Sequence, residues 1–140
     1  MRSSPIKIRA RVIRGAGRGR RLGIPTINLD PSAMQRISPS ALHLIEGIWA
    51  CRALLPKAYW GVLHFGPRPV FDEEEKSLEV YLFDFEPKTK IPEELDIEIY
   101  GYIREIMNFK SPKELVERIG EDIRIVKKKI RQYEKKQFST

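Results

Sequence analysis

The chain has 140 residues, 41% apolar and 32% charged, with 26 Lys and Arg against 19 Asp and Glu for a net charge of +7. That length supplies one hydrophobic core, so one domain spanning 1–140 is expected rather than two. No run approaches the ~18 apolar residues of a membrane span, the first residues lack the apolar centre of a signal peptide, and the lone Cys51 excludes an internal disulfide and a Cys-based zinc site, so a reducing, cytoplasmic setting is expected.

In chain order, Ile6, Ile8, Ala10 and Val12 alternate with Lys7, Arg9 and Arg11, which reads as a half-buried strand over 6–14. Glycines and arginines then break the pattern. Residues 47–55 and 58–65 are aromatic and β-branched, predicting two strands joined by a turn at Pro56-Lys57. Residues 66–69, Gly-Pro-Arg-Pro, read as a loop. Alternation returns over 78–85 and 95–103. Five or more short strands separated by turns favour a closed or nearly closed antiparallel barrel over a parallel sheet. From 112 the period changes: Leu115, Ile119, Ile123, Val126, Ile130 and Tyr133 form one stripe of a helix of about 112–136. Ser111 suits the N-cap, Pro112 the first helical position and Glu114 a capping box.

Charge is unevenly placed. Residues 1–29 hold eight cations and no acid, 127–136 hold six cations and one acid, and 72–98 are rich in Asp and Glu. An anionic ligand or partner fits the basic ends; the cluster at 127–136 also complements the helix dipole.

Three groups of residues carry candidate chemistry. Gly15, Gly17, Gly19 and Gly23, with Arg18, Arg20 and Arg21, make a loop whose backbone N–H groups could cradle an anion. It is neither a Walker A loop nor a dinucleotide fingerprint, and a plain flexible turn accounts for it equally well. Thr26 and Asn28, two apart, share a face of an extended segment and offer hard oxygen ligands for Mg²⁺ when phosphate and water complete the shell; turn hydrogen bonds are the simpler account. Glu79 shares a strand face with Tyr81, Phe83 and Phe85, where partial desolvation would make a better base; a solvated strand end near Glu75 and Lys76 is the alternative. His43 and His64 stand in no metal-ligand spacing and read as structural. Cys51 reads as a small buried core residue.

Taken in order, these segments resemble the ATP-dependent riboflavin kinase (flavokinase) family, including the kinase module of bifunctional FAD synthetases. The residues that carry the resemblance are Gly17-Arg18-Gly19, then Gly23-Ile24-Pro25-Thr26-Ile27-Asn28, Gly47-Ile48-Trp49, His64-Phe65-Gly66-Pro67-Arg68-Pro69, Glu79-Val80-Tyr81, and Arg104 with Phe109 before the helix. The likeness covers about 6–130. It implies a six-stranded antiparallel Greek-key barrel with a C-terminal helix. It also implies transfer of the ATP γ-phosphoryl to the ribityl 5′-hydroxyl of riboflavin, giving FMN and ADP.

By that resemblance Glu79 is the catalytic base, and Thr26 and Asn28 hold Mg²⁺ or another divalent metal. ATP contacts fall on Gly15, Gly17, Arg18, Gly19, Arg20, Arg21, Gly23, Pro25, Leu82 and Asp84. Flavin contacts fall on Arg104, Met107 and Phe109. The chain departs from the family at Ile27, His64, Val70 and Tyr81, and an Asp-[LF]-Tyr-Gly element after the Glu strand is replaced by Glu86-Pro87-Lys88-Thr89-Lys90-Ile91-Pro92. An adenylyltransferase domain and its H-x-G-H motif are absent, so FAD synthesis by this chain alone is not expected. Expected partners are riboflavin/FMN and ATP/ADP, with no membrane; nucleic acid is disfavoured and a monomer is the default. Two alternatives remain open at this point: a catalytically inactive flavin- or nucleotide-binding relative, and a basic nucleic-acid-binding barrel.

Overall fold

A computed structural model describes residues 1, 4–13, 26–37, 46–68, 73–86, 88 and 90–137. Among these, six strands form one antiparallel sheet: β1 (Ile6–Arg11), β2 (Ile27–Leu29), β3 (Gly47–Leu55), β4 (Lys57–Arg68), β5 (Glu73–Leu82) and β6 (Glu94–Arg104). Their spatial order is β1-β6-β3-β4-β5-β2. Strand β6 returns beside β3 after the β3-β4-β5 meander, which is a Greek-key connection. The sheet curls until its two edges meet. Asp30 N–H donates to Arg11 O at 2.8 Å, Ile13 N–H donates to Asn28 O at 2.9 Å, and Val12 bridges Leu29. The predicted barrel is therefore present, closed at this end by β1 against β2.

Several boundaries differ from the sequence pattern. Strand β1 stops at Arg11 rather than running to 14. The turn after β3 is tighter than Pro56-Lys57, because Lys57 already pairs with Leu55 and only Pro56 lies between them. Residues 66–68 belong to β4 rather than to a loop: Gly66 pairs with Ser77 and Arg68 with Glu73 across an irregularity. The two prolines of 66–69 suggested a loop, but proline is tolerated beside a bulge where no ladder donor is needed.

The strand expected over 78–85 begins earlier and ends at Leu82. The chain turns at Phe83 and Asp84, with Asp84 at φ 57°, a left-handed conformation that Asp tolerates. Phe83 N–H donates to Trp60 O at 2.8 Å across that turn.

Two apolar clusters sit on opposite faces of the sheet. The inner one fills the barrel and includes Ile8, Ala10, Ile27, Leu29, Trp49, Cys51, Leu63, Leu78, Val80, Leu95, Ile97 and Ile99. Burial there pushes the Cys51 thiol far above its ordinary range. The outer one, Ile48, Ala50, Val62, Phe83, Val126 and Ile130, joins the sheet to the helix α1 (Pro112–Gln137). Strands β3 and β4 therefore feed both clusters, whereas β1 keeps Lys7, Arg9 and Arg11 exposed on its other face.

Helix α1 starts as its cap residues dictate. Glu114 N–H donates to Ser111 Oγ at 3.3 Å, and Lys110 N–H donates to Glu114 Oε2 at 2.9 Å. Its apolar stripe then buries Val126 and Ile130 against the outer face. Full burial of such side chains contributes about 1.5–3 kcal/mol each.

Candidate active site

The pairing register lines up the candidate site. Asn28 on β2 faces Glu79 on β5, Glu79 faces His64 on β4, His64 faces Ile48 on β3, and Ile48 faces Arg104 on β6. Directly opposed residues share a sheet face, so this row crosses five strands on the outer face. Thr26 and Ser77, each two residues from a member of the row, project to the same side. Ile27 and Leu29 point the other way into the barrel.

Glu79 is 4% exposed. Its Oε1 accepts from Thr26 Oγ1 at 3.0 Å and its Oε2 from Ser77 Oγ at 3.4 Å. Ser77 Oγ also lies 3.3 Å from His64 Nδ1 and 3.3 Å from Gly66 O. Glu79 is therefore buried among hydroxyls and an imidazole rather than among the expected aromatic rings. Tyr81 lies on its face. Phe83 has left the strand to pack in the outer cluster, and Phe85 packs against the inner one beside Tyr59. The solvated alternative also fails: Lys76 is held 2.9 Å from Glu46 and leaves Glu79 enclosed. Sequence reading missed Ser77 and placed His64 among structural residues. Strand period puts Ser77, two residues away, beside the carboxylate, and the cross-strand register brings His64.

At the other end of the row, Arg104 is clamped to Asp122 of α1. Its Nε lies 2.8 Å from Oδ1 and 3.1 Å from Oδ2, and Nη2 lies 2.7 Å from Oδ2. The side chains are 9% and 1% exposed. Nη1 donates to Glu105 O at 3.0 Å, and the guanidinium stands 5.8 Å from the Phe109 ring centre. With its donors engaged in this way, Arg104 sets the course of 105–110 beside the flavin contacts expected at Met107 and Phe109. Asp122 is the residue that holds Arg104, and the sequence reading assigned it no role. Met107 is 37% exposed and Phe109 half-buried.

Among the residues expected to meet ATP, Leu82 packs inside the barrel and Asp84 is exposed at the β5 turn. Gly15, Gly17, Arg18, Gly19, Arg20, Arg21, Gly23 and Pro25 lie outside the described residues, as do His43 and Val70.

The donor set suits Mg²⁺. Thr26 supplies a hydroxyl and Asn28 an amide oxygen on one face, with the Glu79 carboxylate hydrogen-bonded to the first and opposite the second. Mg²⁺ keeps several waters and takes phosphate oxygens, so few protein oxygens are needed to complete its octahedral shell. Among the described residues no three His, Cys, Asp or Glu side chains cluster as a self-sufficient metal site.

Comparison with known proteins then assigns the fold to a family. A family model described as "Flavokinase: Riboflavin kinase" matches residues 2–130. The chain belongs to the riboflavin kinase family. It is 31% identical over 131 residues to the riboflavin kinase of Mus musculus, covering 93% of this chain and 84% of that protein.

Two solved structures share the fold. One, described as a macrolide-efflux protein from Streptococcus pneumoniae, superposes with a TM-score of 0.70 at 27% identity, covering 88% of this chain and 38% of that one. The other, riboflavin kinase from Trypanosoma brucei, gives 0.61 at 20% identity, covering 97% and 86%. Two longer, multifunctional relatives are spanned over only 17% and 38% of their length. Among the described residues no helix is long and apolar enough to cross a membrane.

Proposed function

We propose that this chain catalyses its family's reaction, transfer of the γ-phosphoryl group of ATP to the ribityl 5′-hydroxyl of riboflavin, releasing FMN and ADP. The observation that carries the reading is Glu79, a buried carboxylate held by Thr26 and Ser77 and facing Asn28 across the ladder.

In this reading Glu79 accepts the hydroxyl proton as the alcohol oxygen bonds to the γ-phosphorus and the bond from phosphorus to the β–γ bridging oxygen breaks. Its hydrogen bonds from Thr26 and Ser77 fix the carboxylate before substrate arrives, so little reorganisation is needed at the moment of transfer. Thr26 and Asn28 hold Mg²⁺, which when bound supplies neutralisation of phosphate charge. The flavin borders the 105–110 segment, whose path Arg104 and Asp122 maintain. The reading places the protein in the cytoplasm, where ATP and riboflavin are both available.

The test is the purified chain with riboflavin, ATP and Mg²⁺, with flavins separated by chromatography. FMN forming only when all three are present is the expected result. Glu79→Gln keeps the shape and removes the base; turnover falls by about 10²–10⁴, the usual contribution of a positioned base, while riboflavin and ATP still bind. Near-normal turnover in that variant rules out Glu79 as the base.

A further inference from the structure

The basic cluster of the last third of the chain finds no role in the site above, yet part of it converges on one groove. Lys57, Ala58, Tyr59 and Trp60 of β4, Phe83 and Asp84 of the β5 turn, and Lys127, Ile130 and Arg131 of α1 line a space of about 410 Å³. That volume lies within the ~300–1,000 Å³ range of small-ligand pockets. Trp60 is on the same outer face as His64, four residues away along β4, or roughly 13 Å. The groove is thus separate from the Asn28–Glu79–His64 row, and of its lining only Asp84 belongs to the expected ATP contacts.

Its charge is unbalanced. Lys57, Lys127 and Arg131 are exposed, and none is ion-paired to a described residue. Asp84 is the one acid in the lining. Lys127 and Arg131 are four apart on the helix, a like-charge spacing that destabilises it. The dipole does not account for them: its effect is confined to the last turn, which already holds Lys135 and Lys136.

The walls are flat and held in place. Trp60 packs against Tyr100 and Tyr133 at centroid distances of 4.9 and 6.0 Å, and Lys127 Nζ stands 5.1 Å from the Phe83 ring centre. Unpaired cations around a rigid aromatic wall suit a ligand that joins phosphate to a planar ring system.

We propose that this groove is a second binding site, for a phosphorylated planar-ring ligand of the class that includes FMN and adenine nucleotides. Phosphate oxygens meet Lys57, Lys127 and Arg131, and the ring lies along the Tyr59–Trp60 edge. The choice of these ligands rests on the kinase reading, since they are that reaction's substrate and products. The site itself does not depend on turnover.

Equilibrium dialysis of the full chain with FMN and, separately, ADP tests the proposal, comparing wild type with Lys127→Ala/Arg131→Ala and with Lys113→Ala at the other end of the same helix. The expected result is a salt-sensitive site for one or both ligands that weakens at least ~10-fold in the double variant and is unchanged in Lys113→Ala. Circular dichroism confirms that the variants fold. If the double variant fails to fold, Lys57→Ala on β4 replaces it, with the same weakening expected. Identical isotherms for wild type and the groove variant with both ligands overturn the proposal. So does a groove that takes up inorganic phosphate or an oligonucleotide but neither FMN nor ADP. An absence of kinase turnover would leave these isotherms in place, so the two readings fail separately.

Discussion

Replacing Asp122 by Ala tests how the helix is tied to the barrel. The Asp122 carboxylate receives three contacts of 2.7–3.1 Å from Arg104, with Arg118 Nε a further 3.5 Å away. Removal strands the guanidinium of Arg104, whose side chain is 9% exposed. Breaking a buried pair on one side costs about 3–5 kcal/mol. The same substitution logic at Arg9–Glu94, whose side chains are 67% and 54% exposed, costs about 0–1 kcal/mol.

A domain of this size has about 5–15 kcal/mol of stability in all. Asp122→Ala therefore removes a large share of it and lowers Tm by roughly 10–15 °C. Urea unfolding followed by circular dichroism should show the midpoint falling by about 1.5–3 M with m unchanged. At a temperature where the variant is still folded, the KM for riboflavin rises more than that for ATP, because Arg104 no longer holds Glu105 and Phe109 in place. A stability loss under about 1 kcal/mol would refute the clamp.

Thr26→Ala removes both a metal-ligand candidate and the donor to Glu79 Oε1; turnover should fall by roughly 10²-fold with a raised Mg²⁺ requirement, checked by titrating Mg²⁺ at saturating ATP. An unchanged Mg²⁺ dependence would separate Thr26 from the metal. Gly61→Ala would drive its new methyl into Tyr81 O and the Leu82 side chain, so β4 and β5 must part. A loss of about 1–3 kcal/mol in urea unfolding is expected, and a neutral variant would contradict the packing.

Burial pushes the Tyr100 phenol up to about 12, with Glu98 and Tyr133 adding to the rise and Arg52 opposing it. The native state favours the neutral phenol, so its contribution to stability is complete below pH ~10, the unfolded value, and is lost as pH rises towards 12. Ultraviolet titration should show a late tyrosine step that Tyr100→Phe loses. An unchanged titration curve in Tyr100→Phe would refute it.

Local pattern carried much of this protein. The alternation of Ile6, Ile8 and Ala10 places them inside the barrel, and the Ser111–Glu114 cap starts α1 at the residue expected. The one-face spacing of Thr26 and Asn28 survives at the start of β2, where both meet Glu79. These depend on side-chain period and near-neighbour hydrogen bonds, which are written within a few residues of sequence. Local pattern raised Thr26, Asn28 and Glu79 as candidates beside plainer readings, and family resemblance chose between them.

What surrounds Glu79 was decided elsewhere. His64 reaches it only because β4 and β5 pair in one register, with Glu79 opposite His64, whereas Ser77, two residues away on the same strand, shares its face by strand period alone. A shift of one residue would turn every side chain to the other face. The expected aromatic stripe stops short because the chain turns at Phe83 and Asp84, with Asp84 in a left-handed conformation. The Arg104–Asp122 clamp joins a strand to a helix and has no periodic signature. Burial, cross-strand register and ion pairing between distant segments are properties of the closed sheet. Short-range pattern writes most of the elements and their faces, and closure of the sheet settles their ends and which faces meet.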